Sequence, residues 1–114
     1  MGYFILAVLS NPVAGRESEF NSWYDDVHLA DVLRLDGFKW AERFRLAPNQ
    51  EDAERPYGFL ALYGIETDDV GAVEKRLIEA AGTEAMPFSP ALDLSDIKAW
   101  FFESIGERQT RPPN

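Results

Sequence analysis

Cysteine is absent from the 114 residues, which excludes a disulfide framework and thiolate chemistry. Histidine occurs once, too seldom for a His-rich zinc site or a two-histidine facial triad. The chain has no Gly-rich phosphate loop, no Gly-x-Ser-x-Gly elbow and no EF-hand pattern. It also lacks an apolar run long enough to span a bilayer. Basic residues are scarce: 11 Lys and Arg stand against 20 Asp and Glu, for a net charge of −9. Such a surface repels polyanions and anionic lipid. The nearest thing to a basic cluster, Arg34, Lys39, Arg43 and Arg45, is interrupted by Asp36 and Glu42. Nucleic-acid and membrane partners are therefore not expected, and a cytoplasmic address is.

What is present is apolar matter: 46% hydrophobic and 13% aromatic residues, too much for a disordered chain. The length suits one domain, expected over 1–105, and a domain this small buries only about two-thirds of its unfolded surface. The stretch 106–114, with Pro112 and Pro113, reads as a flexible C-terminal tail. The apolar segment Tyr3–Leu9 lacks the basic flank and small-residue cleavage site of a signal peptide, and reads as mature sequence.

Tyr3–Ser10 is a strand-length apolar run ended by Asn11-Pro12 and Gly15. From Glu17 the period becomes helical, with Phe20, Trp23, Tyr24 and Val27 on one side. Ser18 and the acids Glu17 and Glu19 suit a helix start, and Asp36-Gly37 an exit. Phe38–Leu46 alternates, which predicts Phe38, Trp40 and Phe44 on one face and Lys39, Ala41, Arg43 and Arg45 on the other. Ala47–Pro56 reads as an exposed hairpin loop. Tyr57–Ile65 is a third strand, with Tyr57, Phe59, Tyr63 and Ile65 opposed to Leu60 and Leu62. Thr67 is expected to cap a second helix striped by Val70, Val73 and Leu77 and ended by Gly82. Ile97–Ile105 supplies the fourth strand. The order β-α-β-β-α-β is the ferredoxin-like split βαβ arrangement. Right-handed crossovers put both helices on one face of a four-stranded antiparallel sheet.

Two helices cover one face only, yet three strands are apolar on both. In the first, Tyr3, Ile5 and Leu9 oppose Phe4, Leu6 and Val8. In the fourth, Trp100 and Phe102 oppose Phe101 and Ile105. A face this apolar exceeds what a soluble monomer exposes. A homodimer through the sheet would bury roughly 800 Å² per chain at standard size. If half were apolar, that is on the order of 10 kcal/mol before the cost of association. The expected assembly is a dimeric α+β barrel.

An imidazole ordinarily titrates near neutral pH, so the lone His28 is expected to be able to take and return protons. Tyr24 lies one helical turn before it and Asp31 one turn after. Asp31 could fix the imidazole tautomer, and the Tyr24 hydroxyl could donate to a developing oxyanion. The plainer alternatives are a hydrogen-bonded boundary histidine, a capping Asp31 and a core tyrosine with a wet hydroxyl. Arg43 could bind a carbonyl or carboxylate, or stand in a solvated or interface ion pair. Trp23, Trp40, Tyr63 and Trp100 could line an aromatic substrate pocket or be plain core. The segment Thr83–Asp96 is long for a connection and carries Met86, Phe88, Leu92 and Leu94 around Pro87 and Pro90. It reads either as a binding lid, with Phe88 against substrate, or as a dimer arm. A haem held by His28 alone has no supporting motif, and neither cofactor nor metal is expected.

The stretch Glu19-Phe20-Asn21-Ser22-Trp23-Tyr24-Asp25-Asp26-Val27-His28-Leu29, with Asp31-Val32-Leu33, Gly37-Phe38 and Ala41-x-Arg43-Phe44, resembles the EthD-like group of the dimeric α+β barrel superfamily. The likeness is close in the first half of the chain, and in the second half holds in element order and size. It implies a ferredoxin-like protomer, a sheet-to-sheet dimer, and a pocket between sheet and first helix facing the histidine. The group's Trp-Tyr and histidine fall on Trp23, Tyr24 and His28. Ala30 stands where the group commonly has proline, so the bend at the histidine is expected to be softer. The superfamily includes cofactor-free monooxygenases, lactone isomerases, polyketide cyclases and haem-dependent enzymes. The implied function is a cofactor-independent enzyme, of isomerase, lyase, cyclase or monooxygenase type, moving protons on a small apolar, aromatic or cyclic compound. The alternative is a non-catalytic binding or accessory protein of a degradation pathway.

Overall fold

The computed structural model describes residues 1–50 and 54–113. Its strands are β1 (Gly2–Ser10), β2 (Phe38–Arg45), β3 (Phe59–Thr67) and β4 (Lys98–Glu103). Between β1 and β2 runs a helical stretch in three pieces: α1 (Glu17–Trp23), a π-helical turn (Tyr24–His28) and α2 (Leu29–Leu33). Helix α3 (Val70–Ala80) links β3 to β4. The sheet order is β2-β3-β1-β4, with every neighbouring pair antiparallel. This is the ferredoxin-like α+β fold that the element order predicts. Among the described residues no helix is long and apolar enough to cross a membrane. The expected loop Ala47–Pro56 lies partly outside the described residues, and its start is a 3-10 turn at Pro48–Gln50.

Strand parity places the core. In the register, Leu6 stands opposite Tyr63 on β3 and Phe101 on β4, and Leu6 and Tyr63 are fully buried. Phe20, Val32 and Val73 bring the helical layer down on them, with Ile65 beneath. Each such side chain contributes roughly 1.5–3 kcal/mol of burial. At its start, α1 carries Glu17 and Glu19 in the first turn but no side-chain cap. For α3 the capping residue is Asp69, whose carboxylate accepts from Ala72 N at 3.1 Å. Thr67 ends β3 instead, and its hydroxyl accepts from Asp69 N at 3.0 Å.

A bulge corrects the predicted face of β2. The pairing steps from Phe38 opposite Ile65 to Trp40 opposite Gly64, so Lys39 is an extra residue. One inserted residue inverts parity on either side of it. Phe38 therefore joins the core at 6% exposure, while Trp40 and Phe44 face the far side of the sheet. On that side Gly64 lets the Trp40 indole lie flat, since a Cβ there would stand 1.9 Å from Nε1. The same Nε1 donates to the Tyr3 hydroxyl at 3.3 Å. Phe44, Trp100 and Phe102 also lie on this uncovered face, each at least two-fifths exposed.

The turn from α2 into β2 depends on Gly37. Its φ is +102°, and an added Cβ would come within 2.8 Å of Val73 Cγ2. Its carbonyl accepts from Glu66 N at 2.9 Å, tying the turn to β3. We predict that Gly37→Ala costs about 2–3 kcal/mol, from backbone strain plus displacement of a buried, branched side chain. Urea unfolding measures this directly, and a loss below a few tenths would contradict the account.

Candidate functional site

Between the helical layer and the sheet lies a cavity of about 130 Å³. Leu6, Val8, Ser10 and Tyr63 rise into it from the sheet, and Leu77 and Ala81 reach it from the end of α3. Trp23, Tyr24, His28 and Val32 descend from the helical stretch. Met86, Phe88 and Leu92 close it from the long connection before β4. Nearly all of this lining is hydrocarbon.

The π turn brings two of the polar side chains together. In it Leu29 N bonds back five residues to Tyr24 O, a widened turn that often accompanies functional sites. The His28 ring stacks on Trp23 at 4.5 Å between centroids and 23° between planes. Tyr24 meets the same imidazole edge-on at 5.2 Å, and Phe88 lies 6.1 Å away. His28 is thus set among rings, with only 9% of its surface exposed.

That setting controls charge. Burial lowers the His28 pKa to about 4, with the nearby Asp31 carboxylate acting the other way. The imidazole is therefore neutral at physiological pH. Burial likewise raises the Tyr24 pKa, opposed by the Ser10 hydroxyl and the Arg43 guanidinium. Tyr63 is pushed well above the ordinary phenol value, again chiefly by burial. The two phenols are neighbours, yet the Tyr63 oxygen makes no hydrogen bond of good geometry. The His28 Nδ1 atom is also buried without a partner. Unpaired buried groups cost about 1–3 kcal/mol each and call for an explanation.

Of the candidate residues, the structure brings Trp23, Tyr24, His28, Tyr63 and Phe88 to one cavity. Asp31 is buried one turn beyond His28, but it is ion-paired with Arg34 and makes no hydrogen bond to the imidazole. Arg43 lies on the helix side of β2, outside the cavity lining. It bonds Asp25 at 2.9 Å and Asn21 at 2.8 Å, and its guanidinium sits 4.5 Å from the centre of the Tyr24 ring. Trp40 and Trp100 stand on the opposite face of the sheet and do not line the cavity. Ser10, buried at the end of β1, was not singled out by sequence reasoning; its only signal is a hydroxyl closing an apolar run.

Thr83–Asp96 packs on the rest of the chain as a cover. Trp23 Nε1 donates to Pro87 O at 3.1 Å, Val13 N to Ala91 O at 2.6 Å and Asp93 N to Asn11 O at 3.0 Å. Met86 and Ala91 are fully buried. Among the described residues no three metal-ligating side chains converge.

No protein-family profile matches the chain, and no curated protein matches it. Solved structures do. A ferredoxin-like DABB family protein from Mesorhizobium loti superposes with TM-score 0.60 at 13% identity, covering 93% of this chain and 100% of that one. A protein from Shewanella loihica assigned as a monooxygenase gives 0.57 at 12% identity, covering 94% and 99%. The neighbours include an EthD family protein from Bacillus halodurans, at TM-score 0.49 and 15% identity over 96% and 100% of the chains. At such identities the first two likenesses establish the fold of the class, ferredoxin-like α+β, and the third adds no weight.

The buried imidazole ties stability to pH. Between pH 6.5 and 4 the unfolded chain takes up a proton that the folded chain does not. Its contribution is fully present above pH 6.5 and is lost as pH falls toward 4. The shift corresponds to roughly 3 kcal/mol. Relative to His28→Gln, the wild type should lose about that much between pH 7 and pH 4 in urea titrations. A difference constant across the range would mean that His28 is not buried neutral.

Proposed function

We propose that this chain is a cofactor-independent enzyme that moves a proton on a small apolar, cyclic or aromatic compound. The observation that carries the reading is a buried imidazole beside two buried phenols, set in the wall of an otherwise hydrocarbon cavity, where burial favours the uncharged form of each. His28 removes a proton from a carbon next to a carbonyl. The oxygen that gains negative charge meets a phenolic O–H, for which low local dielectric strengthens the hydrogen bond. Return of the proton at another carbon completes an isomerisation or sets up ring closure. A protein of the same fold is assigned as a monooxygenase, which supports small-molecule chemistry on this fold but not this particular reaction.

Deuterium exchange at the α-carbons of cyclic ketones and enones in D₂O tests the mechanism without a known substrate. Wild-type protein should catalyse exchange, and His28→Gln should lose at least ~100-fold of it, the usual span for a positioned general base. Equal exchange by the variant would remove His28 from the mechanism. A second reading, non-catalytic carriage of the same compounds, is favoured by the lowered His28 pKa of about 4, which makes the imidazole a weak base. Under it, binding is indifferent to pH between about 5 and 8 and no exchange occurs.

We further propose that two copies pair through the uncovered sheet face into an α+β barrel. Phe44, Trp100 and Phe102 supply an apolar surface there, of the kind that monomers seldom expose. Sedimentation at micromolar concentration should give a dimer, and Trp100→Asp should shift it to monomer. A wild type that sediments as a single chain rules the pairing out.

A further inference from the structure

We infer that the cavity takes a neutral, single-ring compound carrying one hydrogen-bonding oxygen, and that Phe88 sets the size limit. This rests on the cavity being a ligand site, and it adds what the ligand must be.

Size comes first. The volume is about 130 Å³, and an apolar protein cavity of roughly 150 Å³ accommodates benzene. One six-membered ring fills this space, while a fused second ring would have to extend through the mouth where Phe88 stands. Charge comes second. Arg43, the cation nearest Tyr24, is held behind that ring by Asp25 and Asn21 and does not line the cavity. His28 is neutral. A carboxylate would enter without a counter-ion, and unpaired burial of a charge is too costly to sustain. Polarity comes third. The polar side-chain groups among its walls are the hydroxyls of Ser10, Tyr24 and Tyr63, the imidazole, and the Trp23 indole N–H, which is already bonded to Pro87 O. Tyr63 Oη has no settled partner, so a small shift of its ring supplies a donor for one ligand oxygen.

Phe88 stands where such a limit would be imposed. It lines the cavity yet is 38% exposed, more than any other residue of the lining. It therefore spans from the interior to the surface. Its backbone neighbour Pro87 is pinned by Trp23 Nε1. Beneath its ring is Gly82, at φ +81°, where an added Cβ would lie 3.6 Å from Phe88 Cε2. The ring is thus seated between a fixed strap and a bare stretch of backbone.

The probes are phenol, cyclohexanone, benzoate and naphthol, titrated calorimetrically at pH 7 into wild type, Phe88→Ala and Phe88→Leu. Wild type should bind phenol and cyclohexanone, and benzoate and naphthol at least ~10-fold more weakly, the smallest penalty expected for a misfit group. Phe88→Ala should recover naphthol to within a few-fold of phenol, and Phe88→Leu partly, which keeps the test alive if the alanine variant fails to fold. Wild type binding naphthol as well as phenol overturns the size limit. Benzoate binding as well as phenol overturns neutrality. Folded Phe88 variants that still reject naphthol overturn the role of Phe88. If none of the four compounds binds wild type, the ligand-site reading itself fails along with this one.

Discussion

An imidazole kept dry among aromatic rings is the constraint on which the site's chemistry depends. Trp23, Tyr24 and Phe88 remove His28 from water on three sides, and without solvation the protonated form is disfavoured. The same dryness keeps the Tyr24 and Tyr63 phenols un-ionised. Everything that can accept or donate a proton in the cavity is therefore uncharged at neutral pH. Arg43 is consistent with this division. It sits behind the Tyr24 ring, spends its donors on Asp25 and Asn21, and polarises the phenol without entering the cavity.

Position in the sheet separates two functions that the sequence mixes along each strand. On β1, Leu6 and Val8 look toward the cavity, while their neighbours Ile5 and Leu9 look toward the uncovered face. The helical layer and the Thr83–Asp96 cover serve the first side only. Near its C-terminal end the cover is bound to the start of the first crossover, through Val13 with Ala91 and Asn11 with Asp93. Its hydrogen bonds and its buried Met86 and Ala91 make it part of the chain's own core.

The architecture was legible because periodicity is a property of long segments. The apolar run of β1, the alternation of β2 and the stripe of α3 each repeat often enough to be read through local exceptions. The exceptions themselves were invisible. A single slipped hydrogen bond makes the π turn at Tyr24–His28, and a single extra residue at Lys39 inverts Phe38 against Trp40. Neither leaves a mark in composition. Trp40 and Trp100 were grouped with Trp23 and Tyr63 because alternation within one strand does not say which of its faces meets which face of the next. Only the register supplies that. Asp31 could pair with the residue three places before it or three after, and spacing alone favours neither; the structure has it with Arg34.

The flat stacking of Trp40 on Gly64 has a consequence for how this sequence can drift. A methyl group at position 64 would occupy the space now held by the indole nitrogen, 1.9 Å from it. Position 64 can therefore take a side chain only once the indole at 40 is gone, whereas Trp40 can be shortened while Gly64 stays. Descendants that acquire a side chain at 64 should be those that have already traded the indole at 40 for something shorter, and the tyrosine at 3 would be released with it.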